Sequence, residues 1–413
     1  MSRRITIVGA GQSGLQLGLG LLAQGFEVRL ISNRTPDDIR SGRVASSQCM
    51  FHTPLQYEAA VGADLWPDAP PVEGVGLAVP NPEAPGEKLL GWTGRLDAPA
   101  QSVDQRLKFP ALIELFEKRG GELVFEDAGI DDLERYTSED ELVLVAAGKG
   151  EIARLFERDA ARSTFDAPQR ALALTYVHGL TPDADLPKVA FNLIPGVGEY
   201  FVFPALTLSG PCHIMVFEGI PGGPMDRFAG AGGAAEHFEI SKDILKTFLP
   251  WEHARAADAS LTDELGVLQG RFAPTVRKPL VTLPSGRTVL GMADVVVLND
   301  PITGQGSNNA SRCAQSYLSS IVEQGDGEYD DAWKEQVFER YWTVAEPVVT
   351  WTNAFLVPPP PHLLNVLGAA SQFPPIADRF ANGFDDPSDF GSWFLDPEGS
   401  ERYIAGVAAG AGV

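Results

Sequence analysis

Apolar positions follow two rhythms along the chain. Ile5-Thr6-Ile7-Val8 is a β-forming run that stops at Gly9, and leucines then recur at roughly helical spacing over residues 15–22, which predicts a strand, a tight turn and a helix. Residues 27–31 predict a second strand. A helix is predicted over 110–119, with Pro110 in its first turn, Leu112, Leu115 and Phe116 on one face and Gly120-Gly121 as its stop. Residues 122–125 and 142–145, leading into Ala146-Ala147-Gly148, are apolar runs suited to buried parallel strands.

Beyond Arg170 the rhythm shortens. Residues 171–177, 189–193, 199–203 and 212–217 are brief runs separated by turn residues, which predicts a mostly antiparallel sheet and a second domain. Residues 41–52 read as a crossover into that domain, and 67–85, rich in Pro and Gly, as loop and short edge strands. A helix over 234–248 breaks at Pro250. Residues 288–294 form a strand ending at a carboxylate, and 300–310 open another helix. Helix is expected from Glu328 to about Leu356, then a Pro-rich hinge at 358–361, a C-terminal helical piece and a tail of small residues, 405–413, that frays.

Composition narrows the function classes. A 413-residue chain suggests two to three domains at roughly 100–200 residues each. The formal net charge of -23 argues against partners that are nucleic acids or anionic membranes. Cys49, Cys212 and Cys313 are odd in number and far apart, so neither a disulfide framework nor a thiolate metal site is expected, and a reducing cytoplasm fits. The histidines lack ligand spacing, so no metal is predicted. The first strand begins almost at Met1, so no signal peptide is expected, and no apolar run is long enough to span a bilayer.

The candidate chemistry begins at the first turn. Gly9, Gly11 and Gly14, with Gln12 and Ser13 between them, form GxGxxG on a strand and open a helix, which is a dinucleotide cradle. The second strand lacks the usual terminal acid and runs into Ser32-Asn33-Arg34 instead. That leaves two readings open, a weaker ribose contact or Arg34 facing a phosphate as in an NADP site. A second glycine-rich helix start, Pro301 to Asn308 with Gly304, Gln305 and Gly306, can present N–H groups to a flavin ring, and Asp294 can bond sugar-chain hydroxyls between the two cradles. Two cradles point to FAD.

These residues carry a resemblance. Gly9 to Gly14, Met292-Ala293-Asp294 and the segment from Asp300-Pro301 to Asn308 resemble the fingerprints of FAD-dependent monooxygenases of the aromatic-hydroxylase fold, where the strand-end pair is usually Gly-Asp. Ser41-Gly42-Arg43, Ala98-Pro99, Val103-Asp104-Gln105-Arg106-Leu107, Gly148-Lys149, Gly304-Gln305-Gly306 and Trp351-Thr352-Asn353 resemble the styrene and indole monooxygenase family. The resemblance implies an α/β fold. A Rossmann-like FAD-binding domain (1–44, 97–165 and 283–330) would join a mostly antiparallel substrate domain (45–96 and 166–282) and a helical C-terminal region (331–413).

The styrene type carries Asn, Val and His at alternate positions after the Arg, and Ser after the Ala-Pro. This chain has Ser46, Gln48, Met50 and Ala100 there, similar to the indole type. Gln48 and Ser46 can hydrogen-bond an indole N–H, whereas styrene offers no donor. Val75 and Asn353 complete the expected substrate pocket, and Arg43, Arg106 and Ala147 join the expected cofactor contacts. The implied activity is epoxidation of the indole 2,3-double bond with O2 through a flavin C4a-hydroperoxide, with no catalytic triad. Single-component relatives carry Asp-Gly where Ala147-Gly148 stands, so the resemblance implies a separate NADH-dependent flavin reductase that supplies diffusing FADH2. It also leaves room for a homodimer. The alternatives are a styrene-type epoxidase or sulfoxidase and a self-sufficient NADPH-dependent hydroxylase.

Overall fold

Backbone hydrogen bonds in the computed structural model, which describes residues 3–148 and 151–411, gather most strands into two sheets. Lys149 of the Gly148-Lys149 pair and the last two residues of the tail lie outside the described residues. The first sheet has six strands in the order Leu280–Thr282, Thr288–Gly291, Leu142–Val145, Arg4–Val8, Glu27–Ser32 and Glu122–Phe125. All neighbours run parallel except the first pair. Helices Gln12–Ala23, Gln105–Lys118, Gly306–Gln324 and Asp331–Phe355 supply much of the rest of its core, with Leu15, Leu19, Phe116, Tyr317 and Phe338 in one cluster with Ile5 and Ile7. Ser32 ends its strand and Gly9, Ala147 and Asp294 follow theirs, all at the C-terminal side of the parallel strands, where such sheets bind ligands.

The second sheet runs Ser260–Leu261, Ala171–His178, Gly210–Gly219, Gly198–Thr207, Lys188–Ile194, Pro71–Pro80 and Lys88–Gln101, with Val267–Gly270 also paired to Ala171–His178. It is antiparallel apart from the pairing of Pro71–Pro80 with Lys188–Ile194. Its register sets Leu174, Val216, Phe201, Phe191 and Leu77 in one row across five strands. That face packs on Trp351 and on the C-terminal helices Pro361–Ala370 and Pro374–Asn382. The opposite face, with Tyr200, Met215 and Phe217, packs on helix Ala234–Phe248.

Four expectations are corrected. Residues 67–85 are not loop and short edges, because Pro71–Pro80 is an interior strand paired on both sides. Its prolines occupy the two strand ends, where a missing N–H is tolerated. The helix expected at 110 begins at Gln105, where Asp104 accepts the Arg106 N–H, and Pro110 lies inside it. Glu122–Phe125 is half-exposed because it forms the sheet edge. The tail is helical, Pro397–Ala411, with Tyr403 against Trp393.

The outer strand Lys88–Gln101 is covered by a helix. Arg95 N–H donates to Asp378, Asp97 N–H to Asn382, and Asn382 returns a bond to the Arg95 carbonyl. An unpaired strand edge is thereby closed to other chains.

Candidate functional site

The first glycine-rich turn separates glycines the fold needs from one it does not. Gly9 has φ 124°, and a Cβ there would lie 2.6 Å from Ala147 N, so the Ala146-Ala147 strand end closes behind the turn. A Cβ on Gly14 would run into the Gly9 carbonyl oxygen. Gly11 differs, since a Cβ there meets nothing within 4 Å. The helix beginning at Gln12 has no side-chain cap and no acidic residue in its first turn, which leaves its N-terminus suited to an anion. Gln12 itself turns inward, donating to Glu58 at 2.7 Å, and Ser13 is buried.

The second turn repeats this arrangement. Asp300 accepts the Ile302 N–H, Pro301–Thr303 makes one 3₁₀ turn, and Thr303 Oγ1 lies 2.7 Å from Thr352 Oγ1. Gly304 has φ 64°, and a Cβ on either Gly304 or Gly306 would meet nothing within 4 Å. The helix from Gly306 also starts without a side-chain cap or a first-turn acid. The Gln305 side chain is spent on the scaffold, donating to the Phe384 carbonyl and accepting from Arg312. Two uncapped helix starts and three glycines facing open space fit a long dinucleotide with an electron-poor ring at its far end.

The remaining expected cofactor residues divide. Asp294 is exposed at its strand end, and a Cβ on Gly148 would sit 2.8 Å from its Cβ. Ala293 before it has φ 51°, the single positive-φ residue other than glycine among the described residues. Ser32 donates to the Arg34 carbonyl at 2.6 Å, so the residue at the usual ribose position is bound into its own turn, while Arg34 is exposed. Arg43 is exposed and donates to the Val267 carbonyl. Arg106 departs from its expected part. Its guanidinium is buried against Asp104, Asp263 and Thr207. Burial opposes its charge, but the bonds to Asp263 and Asp104 outweigh it and hold the pKa above the usual arginine value. The cation is a clamp between chain segments.

The substrate candidates of residues 46–50 lie in a segment tied from both sides. Asn308 Nδ2 donates to the Cys49 carbonyl at 2.8 Å and Asn308 Oδ1 accepts the Phe51 N–H at 2.9 Å, which fastens the segment to the second glycine-rich helix. On the other side Ser102 Oγ donates to the Gln48 carbonyl, and Met50 exchanges backbone bonds with Gln101. Gln48 is 6% exposed, and its Oε1 has no hydrogen-bond partner. The Ser46 carbonyl accepts from Tyr176. Ala100 faces Val72 in the sheet pairing, and both belong with Val75, Cys49 and Tyr176 to one apolar cluster.

Asn353 stands apart from this group, its amide directed at Thr164. A small apolar cavity of about 10 Å³ lies between Val75, Leu77, Phe191, Ile302, Trp351 and Phe384, and of the expected substrate residues it takes in Val75.

Residues missed in the sequence complete the setting. Lys108 is buried in an ion pair with Glu58 and lies 3.2 Å from Met50 Sδ, which links Gln12 of the first glycine-rich turn to the segment 46–50. An isolated Lys in an otherwise amphipathic helix gave no signal of this. Tyr176 lies within the predicted run 171–177, and a buried Tyr hydroxyl requires a partner, but the Ser46 carbonyl and Gln48 amide that meet it are brought opposite by the fold alone. Burial pushes the Cys49 thiol up to about 12, so it stays protonated and unreactive.

Comparisons with known proteins show what the chain is similar to. The family model of the styrene monooxygenase A substrate-binding domain matches residues 148–255. The chain is 30% identical over 407 residues to the styrene monooxygenase StyA of Pseudomonas fluorescens, covering 96% of both chains. It is 29% identical to a second StyA, from a Pseudomonas species, with the same coverage. Its fold is similar to that of a flavoprotein/dehydrogenase from Cytophaga hutchinsonii, with a TM-score of 0.68 at 13% identity and full coverage of both chains.

Proposed function

The chain belongs to the styrene monooxygenase family and is an FAD-dependent monooxygenase, and on that premise we propose that its substrate is indole. Reduced FAD supplies two electrons to O2, so that one oxygen atom enters the indole 2,3-double bond and the other leaves as water. A separate flavin reductase supplies the reduced cofactor. The chain's own residues bind, orient and exclude water. The uncapped helix start at Gln12 would hold the pyrophosphate, and the one at Gly306 would offer its N–H groups to the ring, where negative charge gathers on reduction.

The observation that carries the indole reading is the buried Gln48 Oε1, an acceptor without a donor. Such an acceptor gains most from a ligand that brings an N–H, and indole brings one beside the reacting double bond whereas styrene brings none. Asn308 joins the Gln48–Phe51 stretch to the flavin turn, which supports placing that acceptor beside the ring. Apolar walls from Val75, Ala100 and Met50 shield the oxygen transfer from water. Ser46, Arg43 and Asn353 remain members of the proposed site on the strength of the family pattern.

The test is expression together with a flavin reductase, with indole and styrene supplied separately. Indigo formed in air supports the reading, and styrene oxide without indigo overturns it.

A further inference from the structure

We infer that Tyr176 is a positioning residue that fixes the orientation of the Gln48 amide, so that the pocket shows an acceptor and selects substrates bearing an N–H beside the double bond. The inference rests on the indole reading above and goes beyond it to the device that would enforce it.

Tyr176 is fully buried on strand Ala171–His178, and its hydroxyl carries one proton. That proton is committed to the Ser46 carbonyl at 2.8 Å. Toward Gln48 the same oxygen can only accept, and Gln48 Nε2 donates to it at 3.3 Å. The amide's N–H side is thereby turned to Tyr176 and its Oε1 faces away, where no donor meets it. A flipped amide would bring two acceptor oxygens together with no proton between them. Burial, reinforced by the charge of Asp104, pushes the Tyr176 pKa well above its usual value, so the hydroxyl keeps its proton across the working pH range. Backbone motion does not offer an alternative. The Gln48 carbonyl accepts from Ser102 and the next carbonyl, that of Cys49, accepts from Asn308. The amide flip is the freedom left, and Tyr176 removes it.

The experiment compares indole with indene, which has the same shape and double bond but a CH2 in place of the N–H. With FADH2 supplied by a reductase, the ratio of kcat/KM for indole to that for indene is measured in the wild type, Tyr176→Phe, Gln48→Met and the double variant. The wild type is expected to favour indole. Each single variant should lower the ratio by about tenfold, chiefly through KM for indole, and the double variant should lower it no further, because both changes remove one interaction.

A ratio unchanged within twofold in folded Tyr176→Phe overturns the inference, as does an equal loss for both substrates, which would mark a packing role. Should Tyr176→Phe not fold, Gln48→Met removes the acceptor with Tyr176 intact, and an unchanged ratio there also overturns the inference. A wild type that makes styrene oxide but no indigo defeats the indole reading itself. A wild type that makes indigo while the variants leave the ratio unmoved defeats only the part given to Tyr176.

Discussion

The Asn308 amide donates to the Cys49 carbonyl at 2.8 Å across 259 positions of sequence, and its oxygen accepts the Phe51 N–H. One buried side chain thus joins the second glycine-rich turn to the segment 49–51. Asn308→Ala should leave two buried backbone groups unpaired and cost about 2–4 kcal/mol of stability, at roughly 1–2 for each group. Denaturant unfolding measures that loss. Turnover should fall in the part that remains folded, and an unchanged kcat would show that the tie does not position the segment.

The contrast between Gly11 and Gly14 separates the cofactor from the fold. At Gly11 an added methyl enters open space, so Gly11→Ala should cost less than about 1 kcal/mol of stability while weakening reduced-flavin binding by about tenfold or more. Gly14→Ala meets the Gly9 carbonyl and should destabilise the protein itself. Thermal melting and anaerobic flavin titration distinguish the two. Equal stability losses would remove the argument that Gly11 exists for the cofactor.

Ala293 holds a left-handed backbone that glycine adopts without a Cβ penalty. Ala293→Gly should therefore stabilise the chain by about 1 kcal/mol, less the extra freedom glycine gains when unfolded. A lower melting temperature would mean that the Ala293 methyl is worth more in packing than its strain costs.

Behind the second glycine-rich turn, Glu218 is fully buried, and neither of its carboxyl oxygens nor Asp300 Oδ2 has a hydrogen-bond donor. A proton shared between the two carboxyls satisfies Asp300 Oδ2 and one Glu218 oxygen. Burial first, and the Asp300 carboxyl second, push the Glu218 pKa well above the usual range, with Glu199 adding to the rise and Arg170 opposing it. The folded state then holds a proton that the unfolded chain releases above about pH 4.3, so stability falls as pH rises from there toward the folded pKa. Glu218→Gln should flatten that decline, gaining more stability at pH 8 than at pH 5. Parallel slopes for the two proteins between those values would show that the pair carries no extra proton.

Both sheets were legible where a run was short, apolar and bounded by turn residues, as at Arg4–Val8 and Gly210–Gly219. Pro71–Pro80 was not, because its Pro and Gly content suggests loop, while what makes it a strand is pairing with Lys88–Gln101 and Lys188–Ile194, one of them more than 100 residues away. In the site, Gly9, Gly11 and Gly14 announce themselves by spacing. The partners of Arg106 do not, since Asp263 lies 157 positions away and nothing local reveals that the charge is spent there. Tyr176 and Lys108 share that difficulty, for a polar group on an apolar face gains its meaning only from what the fold brings opposite.

The apolar cavity beside Val75 is about 10 Å³, at the lower limit of what one water requires. A ring entering there displaces aromatic side chains such as Phe355 and Phe384, with almost no solvent to release. Its association should then be paced by the rotation of those rings and should carry the heat signature of packing contacts exchanged for packing contacts, with little of the entropy gain that accompanies emptying a wet pocket.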